Sequence, residues 1–159
     1  MTQKEYNLCV ERFSDNIYRF LVKMTGNTAD AEDLMQDSFA VLWSHRKEIS
    51  SEKAKSYLFT TAYRRFIDKM RHDKYLTRSD TLPEQSVYSE YSDVKEILNS
   101  ILERLPQNQR SAVLLRDYEG YSYDEISQIL DLTLAQVKIL IFRARVAIKD
   151  YIKNPQNIV

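Results

Sequence analysis

The segment from Tyr121 to Ile152 constrains the fold most, because it contains two helix start signals separated by one short turn. Ser122 and Glu125 form an S-x-x-E capping box, and Thr133 and Gln136 form a second one in which glutamine replaces glutamate. Only three residues lie between the two helical patterns, which leaves room for a tight turn and nothing longer. The segment therefore predicts a helix-turn-helix.

The second helix of this motif has two different faces at about 100° per residue. The predicted core face consists of Leu134, Val137, Ile141, Ala144 and Ile148, and the opposite face carries Gln136, Lys138, Arg143, Arg145 and Lys149. Such a helix can enter the major groove of DNA, with its N-terminal residues at base edges and its cations on phosphates. Two helices of a bundle with a solvated basic face would show the same pattern.

Composition favours an all-helical fold without a metal site. Of 159 residues, 43% are hydrophobic, and two glycines and three prolines provide few turns for a sheet. Cys9 is the single cysteine, and His45 and His72 have no further ligand at metal-binding spacing. The sequence contains no glycine loop for phosphates and no G-x-S-x-G motif. We therefore expect no enzyme, no cofactor, no metal and no small-molecule substrate.

Charge is unevenly distributed although the net charge is zero. Residues 44–78 contain 10 basic and 4 acidic side chains, and residues 137–159 contain 5 and 1. Residues 1–40, by contrast, contain 4 basic and 7 acidic side chains. Two basic patches beside acidic stretches suit a protein that contacts phosphates and a second, differently charged partner. No signal peptide or membrane-spanning apolar run is present, so we expect a cytoplasmic protein without membrane insertion.

The first part of the chain predicts three helices. Apolar spacing indicates one helix through residues 13–24 that stops at Gly26, and Thr28 is expected to cap a second from residue 29 to about 46. Asp33, Gln36 and Asp37 would lie outside on the second helix with Trp43 at their margin. That face is typical of a docking surface, although a solvated helix whose tryptophan completes the core would look alike.

The third predicted helix, residues 56–72, separates into an apolar and a basic half. Leu58, Phe59, Ala62, Tyr63, Phe66, Ile67 and Met70 form the apolar half. Tyr57 falls on the polar half near Arg64, an arrangement that single-strand binders use to stack bases. The alternative is a tyrosine that covers a neighbouring helix with its hydroxyl in water.

A polar segment then separates two predicted domains. We expect the first domain at residues 1–73, a flexible linker at 74–91, the second domain at 92–153 and a frayed tail at 154–159. The second domain would begin with a helix whose core stripe contains Val94, Ile97, Leu98, Ile101 and Leu105. Pro106 would start the next helix and Gly120 would end it.

Together these segments resemble the extracytoplasmic-function (ECF) group of bacterial RNA polymerase sigma factors over nearly the whole chain. Residues 30–43, DAEDLMQDSFAVLW, are similar to the region 2 helix that contacts the polymerase clamp. Residues 56–71, SYLFTTAYRRFIDKMR, are similar to the promoter-melting and minus-ten segment. Residues 105–130 with VKILIFRAR at 137–145 are similar to region 4, which recognises the minus-thirty-five element. The resemblance implies a region 2 bundle and a region 4 helix-turn-helix.

The resemblance also implies partners and residue roles. Core RNA polymerase would be contacted by Asp33, Gln36, Asp37 and Trp43. The extruded strand at the minus-ten element would be held by Ser50, Ser51, Lys53, Tyr57, Arg64, Arg65 and Arg71. Upstream promoter DNA would be contacted by Gln136, Lys138, Ile139, Arg143 and Arg145. The chain would then be an alternative sigma factor without catalysis of its own.

One departure from the family pattern lies in the recognition helix. Ile139 and Leu140 stand where members commonly have serine and arginine, so Ile139 joins Ala135, Phe142 and Val146 in an outward apolar stripe. We hypothesise that Phe142 and Val146 pack on another surface in an inhibited state, either the chain's own first domain or an anti-sigma protein. Contact with thymine methyl groups is the alternative.

Two other functional classes fit parts of the sequence. A dimeric helix-turn-helix regulator that acts without polymerase would explain residues 121–152 and leave the Tyr57 helix and the Asp33 face without a role. A helical adaptor that binds only protein would leave both basic patches without a role. Binding to core polymerase distinguishes the first alternative from a sigma factor.

Overall fold

Helices build two compact units, Met1–Ser86 and Val87–Val159. The computed structural model describes residues 1–76 and 93–154, and every regular element in these two ranges is a helix. The prediction of an all-α chain with two small helical domains is confirmed. Most of the expected linker, 74–91, and the tail after residue 154 lie outside the described residues, while residues 74–76 continue a helix.

The first unit contains three long helices and one short turn of 3-10 helix. They are α1 (Gln3–Thr25), α2 (Thr28–Ser44), the 3-10 turn (Ser51–Lys53) and α3 (Ala54–Leu76). A capping box between Thr2 and Glu5 starts α1 well before the first residue of the apolar pattern, so the T-x-x-E signal at the N-terminus was overlooked. Gly26 ends α1 in the left-handed region at φ 68°, as predicted.

The expected cap of α2 is wrong by one residue. The Asn27 side chain accepts a hydrogen bond from the Asp30 amide at 3.1 Å, and Thr28 is already the first helical residue. Asparagine is at least as good a cap as threonine, and the extended backbone of Asn27 (φ −140°, ψ 119°) is the usual cap conformation.

The core of the first unit lies among α1, α2 and α3, which pack against one another in all three pairings. Its largest fully buried side chains are Ile17, Phe20, Leu21, Leu42, Leu58, Phe59 and Phe66. The rings of Phe20 and Phe59 meet edge to face with centroids 5.5 Å apart. Met70 was expected in this core but is 45% exposed. The neighbouring residue, Lys69, faces α2, with its ammonium 3.6 Å from the Asp30 carboxylate.

The second unit consists of shorter helices around a separate core. They are α4 (Asp93–Arg104), α5 (Gln107–Val113), a π-helical turn (Leu114–Tyr118), α6 (Tyr123–Leu130) and α7 (Leu134–Lys153). The expected stripe of α4 is only partly right, because Val94 and Ile97 are exposed and Leu102 is buried beside Ile101. Of α4, only the last turns contribute to the core of this unit, and Leu105 just after the helix also contributes.

The helix-turn-helix is formed as the sequence predicts. The hydroxyl groups of Ser122 and Thr133 each accept the amide three residues later, and both reciprocal bonds are present. Asp131 makes the turn in the left-handed region at φ 55°, which aspartate tolerates better than most residues. The predicted core face of α7 is wrong at Leu134, which is 39% exposed, while Leu140 is buried. Leu134 is the first residue of the helix, so it lies at the edge of the core.

Candidate nucleic-acid interfaces

The exposed side of α7 has an apolar centre with polar side chains on both flanks. Ile139, Phe142 and Val146 are 47%, 68% and 43% exposed, and Ala135 is exposed on the same line. Buried Val137, Leu140, Ile141 and Ala144 occupy the opposite side and hold the helix on the core. At about 100° per residue, Gln136 and Arg143 lie on one flank of the apolar line, and Lys138 and Arg145 lie on the other.

Three of the four flanking polar side chains have partners within the protein. Oε1 of the Gln136 side chain accepts the Thr133 amide at 2.9 Å, and the Lys138 ammonium lies 5.8 Å from the centre of the Tyr123 ring. Arg145 donates to both carboxylate oxygens of Asp117, with 3.1 Å from Nε to Oδ2, and these hydrogen bonds raise the pKa of Arg145. For the exposed Arg143 side chain, the described part of the chain provides neither a hydrogen bond nor an ion pair.

Arg143 borders an open groove beside the turn of the helix-turn-helix. The groove encloses about 260 Å³ and is lined by Asn108, Leu132, Gln136, Ile139, Leu140 and Arg143. Its lining combines three aliphatic side chains with an amide from α5 and two polar side chains from α7. A groove of this composition can contact both the apolar and the hydrogen-bonding parts of a base edge.

A second basic corner of the unit forms around Tyr123, at the start of α6. The Arg116 guanidinium lies 4.5 Å from the centre of the Tyr123 ring and donates to the Tyr121 carbonyl at 2.8 Å. Lys138 approaches the same ring from α7. Arg116 and Tyr123 were not predicted as site residues, because Arg116 lies in the π-helical turn and Tyr123 in α6, and their contact depends on how these two elements pack. The corner adds a cation that can contact a DNA phosphate.

The polar side of α3 brings the expected minus-ten residues onto one surface of the first unit. Arg64, Arg65 and Arg71 are exposed on α3, and Ser50, Ser51 and Lys53 are exposed in or beside the 3-10 turn that precedes it. Tyr57 is half-buried, and its ring centre lies 6.3 Å from that of His45. Tyr57 and Arg64 are seven residues apart, which places them on one side of the helix about 10 Å from each other.

The outward face of α2 is acidic and ends at a supported tryptophan. Asp33, Gln36 and Asp37 are exposed, and Trp43 is 37% exposed. The Tyr6 ring meets the Trp43 ring edge to face at 4.8 Å, and the Tyr6 hydroxyl donates to the Phe39 carbonyl at 3.0 Å. Burial raises the pKa of the Tyr6 hydroxyl.

Arg46 also contacts Trp43 and helps to position its ring. Its guanidinium carbon lies 3.9 Å from the centre of the Trp43 ring, and its Nη1 donates to the Trp43 carbonyl at 2.9 Å. Tyr6 and Arg46 were missed in the sequence. Arg46 lies three residues after Trp43, a helical spacing that could have indicated the contact, whereas Tyr6 comes from another helix.

Neither a membrane segment nor a metal cluster accompanies these surfaces in the described ranges. Across residues 1–76 and 93–154, every helix is too short or too polar to cross a membrane. The same ranges contain no group of three or more His, Cys, Asp or Glu side chains arranged to hold a metal ion.

Comparison with known proteins identifies both units. Residues 9–75 match the family model for Sigma-70 region 2, and residues 95–148 match the model for Sigma-70 region 4. The first match covers α2, the 3-10 turn and most of α1 and α3, and the second covers α5, α6 and α7 as far as Ile148. The surfaces on α2, α3 and α7 therefore lie within segments that match sigma factor regions.

Two curated relatives extend the match over most of the chain. The chain is 34% identical over 146 residues to the ECF RNA polymerase sigma factor SigM of Bacillus subtilis, covering 87% of this chain and 90% of that protein. It is 30% identical over 174 residues to the ECF RNA polymerase sigma-E factor of Haemophilus influenzae, covering 95% and 89% of the two chains.

Solved structures show the same fold. The sigma factor RpoE in complex with the anti-sigma factor NepR, from Bartonella quintana, matches with a TM-score of 0.83 at 21% identity, covering 95% of this chain and 98% of that one. CnrH in complex with the cytosolic domain of CnrY matches with a TM-score of 0.72 at 19% identity, covering 96% and 90%. On the sequence matches, this chain belongs to the extracytoplasmic-function group of RNA polymerase sigma factors.

Proposed function

We propose that this chain binds core RNA polymerase and directs it to a particular set of promoters, without catalysis of its own. The observation that carries the proposal is the presence in one chain of an acidic, tryptophan-bearing face and two separate basic faces, all inside segments that match sigma factor regions. The chain would act where the polymerase acts, in the cytoplasm. The expected domains, 1–73 and 92–153 joined by a linker at 74–91, are the parts that would carry these faces.

Upstream promoter DNA would be bound by the exposed side of α7. The contact residues are Gln136, Lys138, Ile139, Arg143 and Arg145. Because the N-terminal part of a recognition helix approaches base edges, Ile139 and Arg143 are placed to contact bases. Arg145 lies further along α7 and is paired with Asp117, so its contact would be with a phosphate.

The extruded strand at the minus-ten element would be held by the polar side of α3 and the preceding 3-10 turn. The residues are Ser50, Ser51, Lys53, Tyr57, Arg64, Arg65 and Arg71. Stacking of a base on Tyr57 and phosphate contacts with the arginines would stabilise the single strand once it is open. Opening itself costs about 1.4 kcal/mol per base-pair step, and extruding a base costs a few kcal/mol. Exposed cations cannot supply that free energy alone, so the mechanism requires the polymerase.

Core polymerase would be bound by the acidic face of α2. Asp33, Gln36 and Asp37 offer hydrogen-bond acceptors and negative charge, and Trp43 offers a large apolar surface that is already positioned by Tyr6 and Arg46. A preordered aromatic side chain loses little conformational entropy on binding.

An inhibitor would be bound by the C-terminal part of the apolar line on α7. Phe142 and Val146 are exposed apolar side chains next to the DNA-contacting residues, so a partner there would compete with the promoter. The structural neighbours RpoE and CnrH are complexes with NepR and CnrY, which supports a protein partner of the anti-sigma class. If Phe142→Ser left both the affinity for a cognate inhibitor and the compactness measured by scattering unchanged, this assignment would be wrong.

The experiment that tests the main proposal is reconstitution with purified core RNA polymerase on a promoter library. We expect the chain to co-purify with the core enzyme and to start transcription at a common promoter sequence. A chain that bound an intact palindrome in a salt-dependent manner without polymerase, and failed to join the core enzyme, would instead be a dimeric regulator. Binding to polymerase without any DNA selectivity would indicate a protein adaptor.

A further inference from the structure

We propose that α7 recognises thymine by apolar contact, with the Ile139 side chain packed against the C5-methyl group of one thymine in the upstream promoter element. This inference rests on the proposed function, because it assigns a base to the helix that would bind that element. It replaces the hydrogen-bonding contact expected at this position of the family with a contact that depends on a single methyl group.

Ile139 lies on the part of α7 that extends furthest from the core. It follows fully buried Val137 by two residues, so the two side chains point about 160° apart. When a helix lies in a major groove about 8.5 Å deep, the line of residues opposite its core is the part that reaches the base edges. In α7 this line begins with Ala135 and Ile139, which carry no polar atom.

The polar neighbours of Ile139 are poorly placed to recognise the same base. Oε1 of Gln136 accepts the Thr133 amide at 2.9 Å in the capping box, which holds this side chain against the start of α7. Arg145 is held by Asp117, and Lys138 lies against Tyr123. The sequence selectivity of this helix therefore depends mainly on Ile139 and on Arg143.

The side chains around Ile139 suit a thymine, which has both an apolar and a polar group, better than a purely apolar partner. Ile139 is one of the aliphatic side chains that line the 260 Å³ groove, and Arg143 and Asn108 line the same groove. A thymine combines an apolar methyl group with an O4 acceptor, and guanine is the usual base for an arginine. Arg143 is four residues from Ile139, or about 6 Å along the helix axis, so the two side chains address bases one or two steps apart.

Val146 lies about 10.5 Å beyond Ile139 along the axis, so it is too far along the helix to contact the same base. Phe142 lies about 4.5 Å beyond Ile139, closer than Arg143, so only the response of Ile139→Ala to uracil assigns the methyl contact to Ile139. Val146 consequently provides a matched control, since it is an exposed β-branched residue on the same line.

The test uses holoenzyme reconstituted from core RNA polymerase and the full chain. The upstream element is defined by transcription from the promoter library, and each thymine in it is then replaced by uracil, which removes only the C5-methyl group. Equilibrium competition measures the affinity of each duplex for wild-type, Ile139→Ala and Val146→Ala holoenzymes. At one position we expect uracil to weaken wild-type and Val146→Ala binding about fourfold, the effect of one buried CH₂ group, and to leave Ile139→Ala binding unchanged.

Three results would overturn the inference. They are an element without thymine, an element in which no uracil substitution weakens wild-type binding, and a response to uracil that Ile139→Ala retains in full. Each leaves the proposed function standing, because the holoenzyme still selects a promoter. Failure to start transcription at any promoter of the library would contradict the proposed function itself.

Discussion

Arg145 of α7 donates two hydrogen bonds to the Asp117 carboxylate, and this pair joins the recognition helix to the π-helical turn between α5 and α6. Both side chains are partly exposed, at 49% and 38%, so the pair contributes little to the free energy of folding, on the order of 0–1 kcal/mol. Its main consequence concerns charge. A guanidinium that would face a phosphate is partly neutralised by a neighbouring carboxylate.

Replacing Asp117 with asparagine should therefore strengthen binding to any DNA rather than to one sequence. Asp117→Asn removes the charge that neutralises Arg145, and one more cation becomes available to phosphate. We expect the slope of log affinity against log salt concentration to steepen by up to about 1, with the free energy of unfolding changed by less than about 1 kcal/mol. Asp124→Asn is the control for charge alone, because it removes an exposed carboxylate that lies on α6. Equal slopes for the two variants would show that Arg145 gains no phosphate contact.

The contacts that position the Trp43 ring can be tested without removing the tryptophan. Arg46→Ala removes the guanidinium over the ring and the hydrogen bond to the Trp43 carbonyl, while the tryptophan itself remains. We expect affinity for core polymerase to fall by about twofold to fivefold, because a cation–π contact at an exposed site is worth about 0.5–1 kcal/mol. Trp43 is the only tryptophan of the chain, so its fluorescence directly reports the loss of the guanidinium beside the ring.

Lys47→Ala is the matched control for the Trp43 experiment, since it removes a neighbouring exposed cation without touching the ring. If Lys47→Ala lowers polymerase affinity as much as Arg46→Ala does, net charge and not the position of the tryptophan explains the loss.

Tyr57 and Arg143 should affect different steps of initiation. Tyr57→Ala removes the aromatic surface expected to stack on an extruded base, so we expect promoter opening to slow by roughly fivefold or more, from a stacking energy of about 1–3 kcal/mol. Arg143→Ala should weaken the closed complex by about 1–3 kcal/mol and reduce selectivity in the upstream element. Tyr57→Phe retains the ring and should open the promoter at nearly the normal rate. Equal effects of Tyr57→Ala and Arg143→Ala on closed-complex affinity would contradict this division.

Gly26 should matter for stability through its backbone conformation alone. It ends α1 at φ 68°, and a Cβ atom built there meets nothing within 4 Å. Gly26→Ala should therefore lower the free energy of unfolding by about 1–2 kcal/mol, the cost of the left-handed conformation for a side chain. Urea unfolding followed by Trp43 fluorescence measures the change in this unit. Gly26→Asn should cost less, because asparagine tolerates that conformation, and a loss as large as that of alanine would indicate a steric cause.

Sequence alone determined those features whose causes are local. The capping boxes at Ser122 and Thr133 are formed because each needs partners only three residues away, and the buried side of α7 follows from a repeat of about 3.6 residues. Errors arose at helix ends. Asn27 rather than Thr28 caps α2, and Leu134, the first residue of α7, is 39% exposed although it was predicted in the core.

Tertiary structure alone decided which of the exposed polar and aromatic side chains are already engaged. Nothing in the spacing of the sequence shows that Asp117 holds Arg145, that Arg116 reaches Tyr123, or that Tyr6 supports Trp43. Each of these pairs joins two different helices or turns, so its formation depends on how the cores place those elements. Helical periodicity identifies the side of a helix that faces solvent, but the contacts made on that side depend on packing elsewhere.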